Sequence, residues 1–336
     1  MIGLELSLER LWAMRRLVFG MGSLQIVLTG SLIGLIAFSF GNSVEAPVLL
    51  GSSLARSLTA VVMQLLIQQD RFGSSVGRGT FGVLLAQDIA VVPILFLVGV
   101  FGAHAGGSTV LELGLALGEA VLAVLAILGI GRLMIRPLFR FVGNADSPEF
   151  FMAVALLLII ATAALTHAAG LSAALGAFLA GLLLAESEYR HEIEINIEPF
   201  KGLLLGLFFM PVGMIIDPAE VFSDPVWITL SIVGLYAIKT LMMAGIERLF
   251  EFSRAQAVEM SLLLGQGGEF AFVVVGLATG FALIPEATAQ FMLIVFGATM
   301  FLTPVVAELA QLAGSALRSS YCSSQRQHKR RLWSWS

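Results

Sequence analysis

The sequence predicts an all-α polytopic membrane protein of about ten transmembrane helices, two of them broken at the bilayer midplane. Three observations carry that prediction. Of 336 residues, 58% are hydrophobic and 12% charged, with a mean hydropathy of +0.93, far outside the soluble globular range. Charge-free or nearly charge-free runs recur along the whole chain, most longer than the roughly 20 residues that cross a hydrocarbon core about 30 Å thick. Threaded as ten spans, the chain puts all but two of its 19 Lys and Arg residues on one side, which the positive-inside rule assigns to the cytoplasm.

Arg10, Arg15 and Arg16 precede the first helix, 17–40, and make 1–16 a cytoplasmic segment. The second helix, 46–67, runs from Glu45 inward to Arg71 and Arg78 and contains GSSLARSLTA (Gly51–Ala60), rich in small hydroxylated residues and holding Arg56. The third, 79–103, is FGVLLAQDIAVVPILF over its central part, with Asp88 bare in an apolar run, and it ends at His104. The fourth, 113–135, leads from Glu112 to Arg132, Arg136 and Arg140; the fifth, 150–168, reaches the outer side at His167. A short sixth helix, 171–186, returns to EYRHEIEINIEPFK (Glu188–Lys201), expected to be a solvated cytoplasmic loop. The short seventh, 202–216, leads to an outer loop with Asp217, Glu220 and Asp224, and the eighth, 226–247, carries Lys239 and ends at Arg248. The ninth, 256–283, contains GQGGEF (Gly265–Phe270), and the tenth, 288–312, follows Glu286. Residues 17–313 thus form the transmembrane domain, and 314–336 a basic, Ser-rich tail expected to be disordered. Both termini fall on the cytoplasmic side.

A rise of ~1.5 Å per residue places the unusual residues in depth. Asp88 lies ~15 Å from Arg78, Lys239 ~12 Å from Glu247, Arg56 ~14 Å from Pro47, and GQGGEF ~16–24 Å from Arg254. All four converge on the midplane. An ionisable group there costs at least ~2.5–3.5 kcal/mol, so it faces a cavity or a partner and marks an ion or proton pathway. Gly265, Gly267 and Gly268 surround Gln266 and precede Glu269, and a glycine inside a helix costs about 1 kcal/mol relative to alanine. An unwound segment is expected there and, by pairing, in the second helix; paired breaks at the midplane mark the ion sites of secondary transporters.

Other functions fit poorly. A net charge of −4 is too small to suggest a nucleic-acid partner, and Cys322, the single cysteine, excludes an internal disulfide. The four histidines and one cysteine have no metal-ligand spacing, so no metal is expected beyond a transported monovalent cation. An intramembrane aspartyl protease needs two facing aspartates, whereas Asp88 is the only one inside a span, and no Ser-His pair lies at depth. The chain is read as a non-enzyme.

The chain resembles the membrane domain of Kef-type potassium:proton antiporters of the monovalent cation:proton antiporter-2 family. The resemblance runs from GLEL (Gly3–Leu6) and RLW (Arg10–Trp12) through LLAQDIAVVP (Leu84–Pro93), LSAALGAFLAGLLLAESEYRHE (Leu171–Glu192), IEPFKGLLLGLFF (Ile197–Phe209) and VGMIID (Val212–Asp217) to LLGQGGEFAFVV (Leu263–Val274). It implies a sodium/proton-antiporter-like inverted-repeat fold, here lacking its first helices. It also implies an ion- and proton-binding site of Asp88 and Gln87 with Lys239, Ser57 and Thr59, supported by Gly265, Gln266, Gly267, Gly268 and Glu269. Asp88 would carry a proton or a dehydrated cation, never both. His191, Glu192 and Glu194 match a loop that docks on the family's regulatory domain. Potassium and protons are the implied partners, with the lipid of a bacterial inner membrane, and family members are homodimers. No cofactor is expected, because the nucleotide-binding domain of the family is absent. A non-transporting remnant, or an interaction partner of a full-length homologue, is the alternative. One departure falls at the site: where the family has Ala-Leu-Ser-Ser-Thr-Ala, this chain has Ala55-Arg56-Ser57-Leu58-Thr59-Ala60, and Arg56 is expected to hold Asp88 occupied and suppress transport.

Overall fold

The computed structural model describes residues 14–41, 44–103, 110–143, 148–169, 171–185, 187–215 and 224–333, and among these every regular element is helical. Residues 1–13, His104, Asp217 and Glu220 lie outside the described residues. In chain order the helices are α1 (Arg16–Ser39), α2 (Glu45–Leu54), α3 (Thr59–Gln68), α4 (Ser75–Ile89), α5 (Val91–Ala103), α6 (Val110–Gly143), α7 (Pro148–Ala168), α8 (Ala173–Ala185), α9 (Arg190–Ile215), α10 (Pro225–Leu249), α11 (Arg254–Leu263), α12 (Phe270–Gly280) and α13 (Glu286–Trp333). Among the described residues, six segments are long and apolar enough to cross a membrane: Arg16–Ser39, Ser75–Gly102, Val121–Phe139, Phe150–Ala168, Pro225–Leu249 and Glu286–Leu317.

Both expected interruptions are present. The backbone leaves the helix after Leu54 and resumes at Thr59, with Leu58 extended at φ −75° and ψ 99°. It leaves again after Leu263 and resumes at Phe270, across the three glycines. The α4–α5 junction is a milder bend at Ala90, three residues before Pro93, whose missing amide leaves the carbonyl of Ile89 without its helical donor. Two helix starts on the side rich in arginine, those of α4 and α11, are capped by serine side chains. Ser74 Oγ accepts from Gly77 N at 3.0 Å, and Ser253 and Gln256 form a reciprocal capping box at the start of α11.

Packing places the interruptions at a seam. One apolar cluster holds Leu49 and Leu54 of α2, Leu95 of α5, Leu175 of α8, Val274 of α12 and Phe296 of α13. A second holds Val62 and Leu66 of α3, Leu84 of α4, Met243 of α10, Met260 of α11 and Ala310 of α13. The two halves of each broken helix therefore belong to different clusters, and the breaks lie where the clusters meet. Close approach of α1 and α2 relies on small residues, since a Cβ on Gly51 would meet the backbone of Gly30 and Gly34. Leu122, Leu157, Met214 and Leu241 point outward among many exposed apolar side chains, which suits lipid and not water.

Two expectations need correction. Glu188–Lys201 is not a loop beyond its first residues, because α9 begins at Arg190 and continues to Ile215. The reason is the four-residue spacing of Ile193 and Ile197, which puts both on one helical face, where they are buried against Phe139, Phe151 and Leu184 in a third cluster. The exposed positions around them are His191, Glu192 and Ile195. The segment expected as a disordered tail is helical as far as Trp333, with one glycine and no proline between Glu308 and Trp333 to stop it.

Candidate ion-binding site

The site grows out of the two breaks. Ser57 and Arg56 sit in the first, Gly265–Gly268 in the second, and Gly268 backs directly onto the first, since a Cβ there would lie 3.1 Å from the carbonyl oxygen of Ser57. Ser57 Oγ donates to the carbonyl of Leu264 at 2.7 Å, joining one break to the other. Lys239, 2% exposed on α10, donates through Nζ to the carbonyls of Arg56 and Gln266, both at 2.5 Å, and to Ser57 Oγ at 3.2 Å. An ammonium has three donors, and all three are used to clamp the breaks together. Lys239 therefore faces the interior, as its position in the eighth predicted helix requires.

Gln87 and Asp88 stand side by side on the last turn of α4. Gln87 Oε1 accepts from the backbone amide of Ser57 at 2.8 Å, while Nε2 donates to Gln25 Oε1 at 2.9 Å. Gln25 in turn donates to the carbonyl of Ala55 at 2.8 Å. This amide pair fastens α1 and α4 to the first break and satisfies backbone groups that the extended chain leaves without helical partners. Asp88 Oδ1 accepts from Arg56 Nη2 at 2.9 Å and from Thr59 Oγ1 at 3.3 Å. The Arg56 guanidinium also lies 4.6 Å from the centroid of the Phe270 ring at the start of α12, within cation–π range. Arg56 and Asp88 are both buried, at 2% and 7% exposure.

The structure thus gathers Ser57, Thr59, Gln87, Asp88, Lys239, Gly265, Gln266, Gly267, Gly268 and Glu269 at one crossing. Glu269 is the N-cap residue of α12, yet its side chain makes no capping bond. His191 and Glu192, exposed, and the half-buried Glu194 are on α9, whose buried isoleucines pack with side chains of α6, α7 and α8. Three participants escaped the sequence reading. Gln25 offered a weak signal, a lone amide in an apolar span. Thr299 Oγ1 accepts from the amide of Gly267 at 3.2 Å, and Tyr236 Oη donates to the carbonyl of Thr299 at 3.0 Å, but both residue types are common in spans.

The family model described as sodium/hydrogen exchanger, transmembrane, matches residues 1–308. The chain belongs to that family. It is therefore an integral membrane protein among cation:proton antiporters, and its relatives are transporters and not enzymes. The glutathione-regulated potassium-efflux system protein KefC of Klebsiella pneumoniae strain 342 is 43% identical over 305 residues, covering 91% of this exchanger-family chain and 49% of that relative. K(+) efflux antiporter 2, chloroplastic, of Arabidopsis thaliana is 43% identical over 321 residues, covering 94% and 27%. The chain spans about half the length of the KefC relatives that it matches. The solved structure of the sodium proton antiporter MjNhaP1 of Methanocaldococcus jannaschii at pH 8 superposes with a TM-score of 0.65 at 14% identity, over 94% of this chain and 81% of that one. At that identity the likeness is one of fold.

Proposed function

We propose that the chain exchanges potassium, or another monovalent cation, for protons across a bacterial inner membrane, with Asp88 as the alternately occupied group. The observation that carries this reading is the placement of Asp88 as a buried carboxylate beside two interrupted helices. Freed backbone carbonyls and half-helix ends at such a crossing replace the water that a cation loses on entry. A proton and a cation compete for the same oxygens, so each can leave only when the other is available on that side. Gln87 holds the first break through Ser57, Thr59 supplies a hydroxyl to Asp88, and Lys239 keeps both breaks in register while they carry the site. Ten spans with both termini cytoplasmic agree with the basic residues on one face. His191, Glu192 and Glu194 form the surface on which a regulatory domain docks, and the protein acts as a homodimer without a cofactor.

A non-transporting partner of a full-length homologue is the second reading, favoured by the Arg56–Asp88 ion pair. Proteoliposomes containing the purified chain and a trapped pH indicator separate the two. An imposed potassium gradient is expected to drive proton movement that Asp88→Asn removes, with rates normalised to folded protein. Equal proton movement in both samples would overturn the exchange reading, and none in the native chain or its Arg56→Leu variant would favour the second.

A further inference from the structure

The first break places a permanent cation where an exchanger needs a vacant carboxylate. Arg56 hangs from a backbone position whose carbonyl is held by Lys239 Nζ at 2.5 Å, so its attachment point is fixed. From there the side chain reaches Asp88 Oδ1 at 2.9 Å and lies 4.6 Å over the Phe270 ring. Groups from α4 and from the start of α12 thus converge on one guanidinium. Its planar, delocalised charge stays protonated at any physiological pH, so it cannot vacate the site by losing a proton as an ammonium can. Nor can it diffuse away, because it is tethered to the same crossing and presents itself to Asp88 at a high effective concentration.

We infer that Arg56 is a resident counter-ion of Asp88, occupying the carboxylate in place of the transported cation and so setting the apparent affinity of the site for cation and proton alike. The inference rests on the exchange reading only for its transport consequence; the occupancy itself is a separate matter. Entry of a potassium ion or a proton requires the Nη2–Oδ1 bond to open and Arg56 to move aside. Its Nε and Nη1 atoms have no hydrogen-bond partner among the described residues, so the three N–H donors on these two atoms remain to be met by an acceptor in the displaced position. Glu269, half-buried and adjacent in sequence to Phe270, over whose ring the guanidinium lies, is the acceptor assigned to that position.

The test labels Asp88 in the full chain with dicyclohexylcarbodiimide, an apolar reagent that attacks protonated carboxyl groups at membrane depth. The adduct is quantified by mass spectrometry on the peptide containing Asp88, in the native chain and in Arg56→Leu. Loss of one hydrogen bond between charged groups corresponds to about tenfold or more in competition, so Arg56→Leu is expected to label at least that much faster, with potassium slowing it. Arg56→Gln, which keeps donors and removes the charge, takes its place if circular dichroism shows Arg56→Leu to be unfolded. Equal labelling of Asp88 with and without Arg56 would overturn the inference. Proton movement in proteoliposomes then tells the two readings apart. Faster labelling without proton movement in any variant upholds the resident counter-ion and sinks the exchange reading. Equal labelling, with proton movement that depends on Asp88 and is unchanged by Arg56→Leu, sinks the counter-ion and upholds exchange. Faster labelling with at least tenfold faster exchange, abolished in Arg56→Leu/Asp88→Asn, supports both.

Discussion

Gln87→Leu is the substitution whose cost the structure defines most directly. Leucine is close to glutamine in length and carries no charge, so the change leaves charge balance untouched and acts through hydrogen bonds alone. It removes the acceptor of the Ser57 amide, 2.8 Å away, and the donor to Gln25 Oε1, 2.9 Å away. The carbonyl of Ala55 keeps Gln25 Nε2 and is not orphaned. Two buried polar groups therefore lose their partners, at about 1–3 kcal/mol each, and the expected loss of stability is about 2–6 kcal/mol before any gain from burying a more apolar side chain. Leucine recovers no more than about 1 kcal/mol of that, roughly one buried methylene, since position 87 is fully buried in either case, which leaves a net loss of at least about 1 kcal/mol. The assay is equilibrium unfolding in mixed micelles of rising sodium dodecyl sulfate content, followed by far-UV circular dichroism. A loss under about 0.5 kcal/mol, the scatter expected of surface changes, would mean that Gln87 does not hold the first break.

Lys239→Met leaves the carbonyls of Arg56 and Gln266 without their donor, at about 1–3 kcal/mol each, and is expected to lower the unfolding midpoint and expose both breaks to hydrogen exchange. Unchanged exchange at residues 55–58 and 264–269 would show that the clamp lies elsewhere. Gly268→Leu puts a side chain where a Cβ alone would stand 3.1 Å from the Ser57 carbonyl, and it is expected to separate the breaks and abolish proton movement while leaving total helix content unchanged. Glu247 is fully buried, and neither carboxylate oxygen has a hydrogen-bond partner among the described residues. Glu247→Gln removes a buried group that can carry charge without compensation and is expected to leave the midpoint unchanged or raise it, whereas a fall of more than about 1 kcal/mol would reveal a partner.

What could be read before the structure follows from cost. Asp88 and Lys239 were legible because a charge inside an apolar run is expensive enough to demand a reason, and Gly265–Gly268 because three glycines in four positions weaken a helix. Gln25 was not, since a neutral amide costs far less and its partner lies 62 residues away on α4. The depth of Arg56 followed from counting residues. Its direction did not, because an interrupted helix fixes no rotation, and only the observed backbone at 55–58 turns the side chain towards Asp88. The start of α9 was misread because its glutamates outweighed a two-isoleucine stripe that becomes decisive only when Phe139 and Phe151 are there to receive it. The length of the last helix had no apolar face to announce it.

The two cations of the crossing have different tasks, and their difference can be measured through stability. Lys239 is bound by neutral oxygens, so it fastens the breaks whatever occupies Asp88. Arg56 is bound by a carboxylate, and removing that carboxylate strands a guanidinium that is 2% exposed. Breaking a buried pair by removing one partner costs about 3–5 kcal/mol, whereas replacing both partners by neutral groups of similar volume is about neutral or favourable. Asp88→Asn alone is therefore expected to lower stability by about 3–5 kcal/mol, reduced in so far as Arg56 turns to Glu269. Adding Arg56→Leu is expected to return most of that loss, so the double variant is more stable than Asp88→Asn. Lys239→Met added to Asp88→Asn is expected to return none of it and to lower stability further, because its bonds are to the breaks and not to Asp88. The cycle is read from unfolding midpoints of the four Arg56 and Asp88 combinations in one detergent. Additive effects of Arg56→Leu and Asp88→Asn would mean that no pair exists between them in the folded protein, and the assignment of Arg56 to Asp88 would then be wrong.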